Sequence, residues 1–408
     1  MISLMVVARL IGREQFGELG IIQSSIGMFQ VFAAFGMGVT ATKHVAVYRH
    51  TNPERAGRII MLTALFSSAT GTCMALVLWL FSPWLSTSIL NAPQLVIPLR
   101  ISALMLIFSG WTSAQTGSLA GFEAFRTIAR INFFVGLSSM PVIIVGALWG
   151  GVKGAVWGLV ITMAINAIFN NLALRARMHK EGIPATLDGW YNELQMLWKF
   201  TLPAVLGGAM VPPVNWLGTA MLVRQPNGFA EMGIFAAANQ WFSVLLFLPS
   251  MINSTILPIL AETAGARDFS KLKKILFLGI KISFICVIPF AGVIAILSPY
   301  IMSCYGAVFQ EGWPVLIMIS MAAIVAGIQN LFGNTLASIN RMWLHFIMNL
   351  IWATLFLTIL LLLLHSGWGA LGIATAQFAS YMGRFCIVII ILFILFKGAN
   401  GNKAFFNK

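Results

Sequence analysis

Charge is what this sequence has least of. Only 9% of its 408 residues are charged, and 11 of those are acidic. A soluble domain usually carries about 25% charged residues, so the chain lacks the surface that water would demand. The acids are also badly placed for chemistry. All eleven fall in polar stretches or within about a turn of the end of an apolar run. None stands at mid-run, where paired carboxylates would mark acid–base catalysis or a proton relay. The five histidines lack HExxH spacing, and the four cysteines (Cys73, Cys286, Cys304 and Cys386) form neither CxxC nor a Cys/His cluster. No metal site, disulfide framework or cofactor is expected. Period-two strand patterns are missing too, so no strand leads into a Gly-rich phosphate loop. An enzyme or an ATP-driven machine within this chain is not expected.

What the chain does have is apolar length. Hydrophobic residues make up 59% of it, and mean hydropathy is +0.90. The runs are continuous rather than alternating, as in 387–396 (IVIIILFILF). Hydrocarbon offers the backbone no partner, so such runs must cross a membrane as helices. Complete spans are predicted at 17–41, 59–82, 98–121, 128–149, 154–174, 197–221, 233–260, 275–298, 313–338, 345–365 and 370–396. Only Met1–Ala8 are apolar before Arg9. Eight residues rise about 12 Å as a helix, less than half the hydrocarbon thickness. They are either a half-helix buried in protein or the end of a span whose front precedes Met1. The second is the expectation.

The 25 basic residues are sorted by side. Eighteen lie in the loops at 43–58, 126–130, 175–199 and 267–274, at Arg341 and in the C-terminal tail. Five lie opposite: Arg9, Arg13, Arg100, Lys153 and Arg224. The basic set is expected to be cytoplasmic, with the C-terminus inside. The formal charge of +14 therefore reads as topology and contact with anionic membrane lipids, not as nucleic acid binding.

The chain also repeats. Phe16–Ile21 (FGELGI) matches Phe229–Ile234 (FAEMGI), Leu119-Ala120 matches Leu336-Ala337, and Gly154-Ala155-Val156 matches Gly369-Ala370-Leu371. Three matches in order at nearly one offset imply a duplication. With the first span completed, each copy has six spans and both insert the same way up. The expected architecture is an all-α polytopic membrane protein of two six-helix bundles with a pseudo-twofold repeat, dividing into 1–188 and 189–408. A substrate path is expected between repeats of this kind.

Few polar residues are deep enough to line such a path. Arg384 lies about 18–21 Å from either end of the last span, at 1.5 Å per residue. Gln377, Ser380 and Tyr381 precede it by seven, four and three, on one helical face. A cation at this depth should face a cavity or a partner. The competing reading bonds it to carbonyls of a neighbouring helix. Lys281 lies about 9 Å into its span and either lines the path or snorkels. Lys43 and Arg100 read as interface anchors. Gln329, Asn330, Asn334 and Ser338 form one polar stripe, with Thr112, Ser113, Gln115 and Thr116 as its first-half counterpart. Asn239, Gln240 and Ser243 form another. Such stripes either lock helices together or wet a cavity. In 197–221, Pro203, Pro212 and Pro213 with Asn215 suggest a bend, either a moving gate or a static kink.

Ala8-Arg-Leu-Ile-Gly-Arg-Glu-Gln-Phe-Gly17, followed by apolar residues to Phe35-Gly36, resembles the opening of the polysaccharide-export (oligosaccharide flippase) family. That family belongs to the multidrug/oligosaccharidyl-lipid/polysaccharide superfamily. The resemblance implies a V-shaped cavity between two six-helix lobes and alternating access. It implies transfer of undecaprenyl-diphosphate-linked oligosaccharide, O-antigen or a related surface polysaccharide, across a bacterial plasma membrane, with other polysaccharide assembly proteins as partners. It also points to Arg9 as a contact for the diphosphate, beside Arg384 and Lys281. A cavity with deep cations and no deep carboxylate suits an anionic head group. Two alternatives remain: a cation-coupled multidrug exporter of the same superfamily, and a polytopic glycan polymerase or ligase.

Overall fold

The computed structural model describes residues 2–193, 209–265, 269–338 and 342–399. Among these residues twelve α-helices follow one another: α1 Ile2–Ala34, α2 Met37–Tyr48, α3 Pro53–Trp84, α4 Val96–Gly121, α5 Phe125–Lys180, α6 Val211–Val223, α7 Gly228–Gly265, α8 Phe269–Ile296, α9 Ser298–Ser303, α10 Trp313–Ser338, α11 Met342–His365 and α12 Gly369–Ala399. No strand occurs among the described residues. Nine stretches of them are long and apolar enough to cross a membrane.

One of the nine is two crossings in a single element. At 1.5 Å per residue, the 56 residues of α5 would extend about 84 Å, well over twice the hydrocarbon thickness. Helical dihedrals fail at Gly150 and Gly151, and Gly151 takes φ 54°. The L side chains avoid that region, so glycine makes the reversal cheap. Gly146 and Gly154 then meet backbone to backbone, as do Ile143 and Gly158. This hairpin matches the predicted spans 128–149 and 154–174. The N-terminal segment breaks likewise at Gly12 (φ 80°), leaving Ile2–Ile11 as a short helical arm with Val7 and Ala8 buried. The bend expected in the predicted 197–221 span falls largely on residues outside the described ones. Pro212 and Pro213 stand in the first turn of α6, where a missing N–H costs nothing, and so begin a helix. Pro203 lies outside the described residues.

The duplication is visible in element lengths. The helices α4 and α10 both run 26 residues, 217 positions apart. The hairpin turn at Gly150-Gly151 has its counterpart in Ser366–Trp368, between α11 and α12. In compactness, however, the chain divides at Arg224/Gln225 into units 1–224 and 225–408, later than the repeat boundary expected at 188/189. The reason is α6, which docks on α1. Trp216 Nε1 donates to Ser25 Oγ at 2.9 Å, and the hydroxyls of Thr219 and Ser24 are 2.9 Å apart.

The first unit is knitted by small residues and hydroxyls. Thr42 Oγ1 reaches the Gly117 carbonyl at 2.9 Å, and Thr70 Oγ1 donates to the Ala33 carbonyl at 2.7 Å. Small side chains bring backbones close where lipid gives no hydrophobic drive to associate. At the end carrying the basic loops, Arg55 grips buried Glu193 through two bonds of 2.9 and 3.0 Å and lies 4.2 Å over the Tyr48 ring. Arg49 pairs with Glu123 at 2.8 Å. Arg100 has its guanidinium 4.6 Å over Trp79, and its Nε is 3.3 Å from Ser82 Oγ.

The second unit is built around α10, which packs against α7, α8 and α12. Leu276, Ile328, Leu331, Phe332, Met348 and Val388 form its buried core. The repeated Glu231 closes one end: its Oε2 accepts from the Ala370 N–H at 2.8 Å, in the first turn of α12. Replacing Glu231 with alanine is expected to cost about 1 kcal/mol, a typical capping contribution. It would be read as a lower thermal midpoint in detergent. Glu18, at the matching repeat position, accepts only from exposed Gln94, so Glu18→Ala should change the midpoint far less.

Candidate functional site: a polar cluster around Arg384

Helix α12 carries Gln377, Ser380, Tyr381 and Arg384 inward. Gln377 and Ser380 are buried, and Arg384 is only 9% exposed. A cation at that depth facing lipid would be solvated by nothing, so its burial in protein is the first requirement for function. The competing reading, a structural arginine tied to carbonyls, is not what the geometry gives. Arg384 Nε has no hydrogen-bond partner among the described residues. No carboxylate there pairs with the guanidinium either.

Three further helices close around it. From α10, Gln329 Nε2 donates to the Tyr381 carbonyl, while its own Oε1 is buried without a partner. From α11 come His345, Asn349 and Trp352. Asn349 Nδ2 and His345 Nε2 are 3.4 Å apart, and His345 is near enough to Arg384 for their charges to interact. His345 Nδ1 and Trp352 Nε1 are buried and unpartnered. The Tyr381 ring stacks with Trp352 (5.6 Å, 26°) and with Phe242 of α7 (6.2 Å, 16°). Four buried polar atoms of one neighbourhood thus lack a protein partner: Arg384 Nε, Gln329 Oε1, His345 Nδ1 and Trp352 Nε1. Native interiors pair almost all such groups, and an uncompensated buried charge costs several kcal/mol. Three of the four sit on groups that donate, so the arrangement suits an anionic or richly hydroxylated guest.

The sequence-derived residues fall into three groups. Arg384, Gln377, Tyr381 and Gln329 come together. Asn239 and Gln240, half-buried on α7, sit nearby in sequence to Phe242, and Gln240 Oε1 accepts from the Tyr305 hydroxyl at 3.4 Å. Tyr305 is fully buried between α9 and the 307–312 turn, and that burial pushes its phenol above the ordinary tyrosine range. The side chains of Asn330, Asn334 and Ser338 lie outside the described residues. Lys281 is exposed on α8. Arg9 is exposed in the N-terminal arm, and Asn215 is half-buried on α6; both belong to the first unit. In that unit Thr112, 217 positions before Gln329, also has a buried hydroxyl without a partner. Gln115, with its amide turned to suit, accepts from Trp111 Nε1 at 3.0 Å and donates to the Ala167 carbonyl at 3.1 Å.

His345, Asn349 and Trp352 escaped the sequence reading. Their spacing of four and three places them on one face of an otherwise apolar 24-residue helix, which is a legible signal in retrospect.

Against known proteins, the sequence model of the polysaccharide biosynthesis protein family matches residues 1–264. The chain belongs to that family. The MatE family model matches residues 203–364. The chain is 26% identical over 363 residues to the EPS I polysaccharide export inner membrane protein EpsE of Ralstonia nicotianae, covering 86% of this chain and 79% of that one. It is 19% identical over 305 residues to the probable multidrug resistance protein YoeA of Bacillus subtilis, covering 70% and 64%. Its fold is that of an inward-facing multidrug resistance MATE family transporter of the MOP superfamily. The TM-score is 0.78 at 13% identity, over 97% of this chain and 94% of that one. This family member is a multi-pass membrane transporter of the MOP superfamily.

Proposed function

We propose that the protein is a flippase that moves a lipid-linked oligosaccharide, with undecaprenyl diphosphate as the carrier, from the inner to the outer leaflet of a bacterial inner membrane. It works by alternating access, with its C-terminus in the cytoplasm, and it supplies surface polysaccharide assembly. The observation that carries this reading is Arg384: a buried cation whose Nε has no hydrogen-bond partner and which pairs with no carboxylate among the described residues. A diphosphate is the counter-charge such a group recognises. The likeness to a polysaccharide export protein supports the same cargo class.

Drug export is the second reading, favoured by the MatE match over 203–364 and the likeness to YoeA. Deletion of the gene separates the two. The flippase reading expects loss of all surface glycan and accumulation of the lipid-linked unit on the cytoplasmic leaflet. Loss of cationic dye efflux with glycan intact would mean a drug exporter. Display of single repeat units would mean a polymerase.

A further inference from the structure

Far from Arg384 in sequence, the first unit holds a cavity of about 490 Å³. Its walls come from α3, α4 and the second arm of α5, with the 183–185 turn across its mouth. Two basic side chains of α5, Arg175 and His179, stand at the mouth, four residues apart and so on one helical face. Both are exposed. Arg175 Nε is held by Asn171 Oδ1 at 3.1 Å, which orients the guanidinium and leaves its two terminal nitrogens open. No acid is among the lining residues, and the nearby Glu181 pairs with Arg177 through Oε1 at 2.9 Å, its Oε2 being buried without a partner among the described residues. Deeper, Met61, Ala64 and Leu174 are apolar, beside Gln115 and Asn171.

Position matters as much as composition. Arg175 is five residues from the end of α5 at Lys180, about 8 Å along the axis, which is interfacial depth. Ala64 is eleven residues inside α3 from Pro53, about 17 Å along its axis. The cavity therefore runs from a cationic mouth at the interface to an apolar floor within the hydrocarbon. Its volume is in the range of small-ligand sites. That polarity is the mould of an amphiphile with an anionic head and an acyl tail. The mouth also lies among the most basic loops of the chain, the side that meets anionic lipid.

We infer that this cavity is a binding site for an anionic glycerophospholipid of the cytoplasmic leaflet, with its phosphate on Arg175 and His179 and part of one acyl chain against Met61, Ala64 and Leu174. The site is separate from the Arg384 cluster, and its test does not depend on transport.

The test uses the whole chain purified in neutral detergent, with bound lipid counted by native mass spectrometry as phosphatidylglycerol or phosphatidylcholine is added. The wild type is expected to hold one phosphatidylglycerol about fivefold more tightly than phosphatidylcholine, from roughly 1 kcal/mol of attraction at Arg175. The Arg175→Ala/His179→Ala variant should lose that preference. Lys153→Ala, which removes an exposed cation from the Gly150–Gly154 turn, should keep it. Ala64→Trp, which fills the floor and leaves the charges, should lose the bound lipid as well. Equal preference in the double variant and the wild type would overturn the proposal. So would displacement by millimolar glycerol phosphate, because a site that reads phosphate alone needs no acyl floor.

Discussion

Replacing Arg384 with methionine is expected to abolish glycan export, by at least about a hundredfold, while the protein still reaches the membrane and becomes more stable. The two halves of that expectation come from one fact. The guanidinium is buried with its Nε unbonded and no carboxylate beside it. Such a charge costs the free protein several kcal/mol of desolvation that nothing local returns. Methionine keeps much of the volume and removes the charge, so the thermal midpoint should rise by a few degrees. The bound state should lose in proportion, because truncating a buried charge contact typically costs about 2–5 kcal/mol. Arg384→Lys keeps the charge without the planar fork and should fall between the two. Export is read as surface glycan, and stability as unfolding in detergent. A structural arginine would give the reverse pattern, with a lower midpoint and glycan loss only in step with protein loss. Lys281→Ala is the comparison. That side chain is exposed on α8, so its removal should matter much less.

This asymmetry between Arg384 and Lys281 shows where sequence reasoning stops. Both stood out because a charge inside an apolar run is rare, and depth along the helix followed from counting residues. Azimuth did not. Which side of α8 or α12 faces protein depends on neighbours tens of residues to more than a hundred residues away, and both helices are apolar nearly all round. Gln377, Ser380, Tyr381 and Arg384 were grouped correctly because i+3 and i+4 geometry is local. Gln329 joined them only through packing of α10 on α12. His345, Asn349 and Trp352 were passed over for a related reason. Histidine was weighed for metal spacing, and Trp352 sits in a run so apolar that one more ring carried no signal. The span map was more legible, because hydrocarbon thickness sets helix length directly. At α6, Pro212 and Pro213 open a helix, a role proline serves as readily as a bend, and only the backbone decides between them.

The hairpin of α5 carries the second large effect. Gly154→Leu is expected to destroy the folded first unit, whereas Gly136→Ala, in the same helix, should be tolerated. An added Cβ at Gly154 would lie 1.9 Å from the Gly146 carbonyl oxygen, and one at Gly146 would lie 2.3 Å from that of Gly154. Both obstacles are backbone, so no side chain can swing aside, and the two arms must part. A single excess methylene in a packed core costs about 1–3 kcal/mol; a leucine wedged against backbone at a hairpin neck should exceed that. The arms have little to hold them once apart, because lipid solvates leucine and valine as well as protein does and close small-residue packing supplies the attraction. At Gly136 the space around a new Cβ is empty to 4 Å, and alanine is the better helix former. The measurements are membrane yield, monodispersity in detergent and thermal midpoint. A Gly154→Leu protein with wild-type values in all three would show that the arms do not meet there. That result would also take away the reversal at Gly150-Gly151, without which the 56 residues of α5 cannot fit a bilayer.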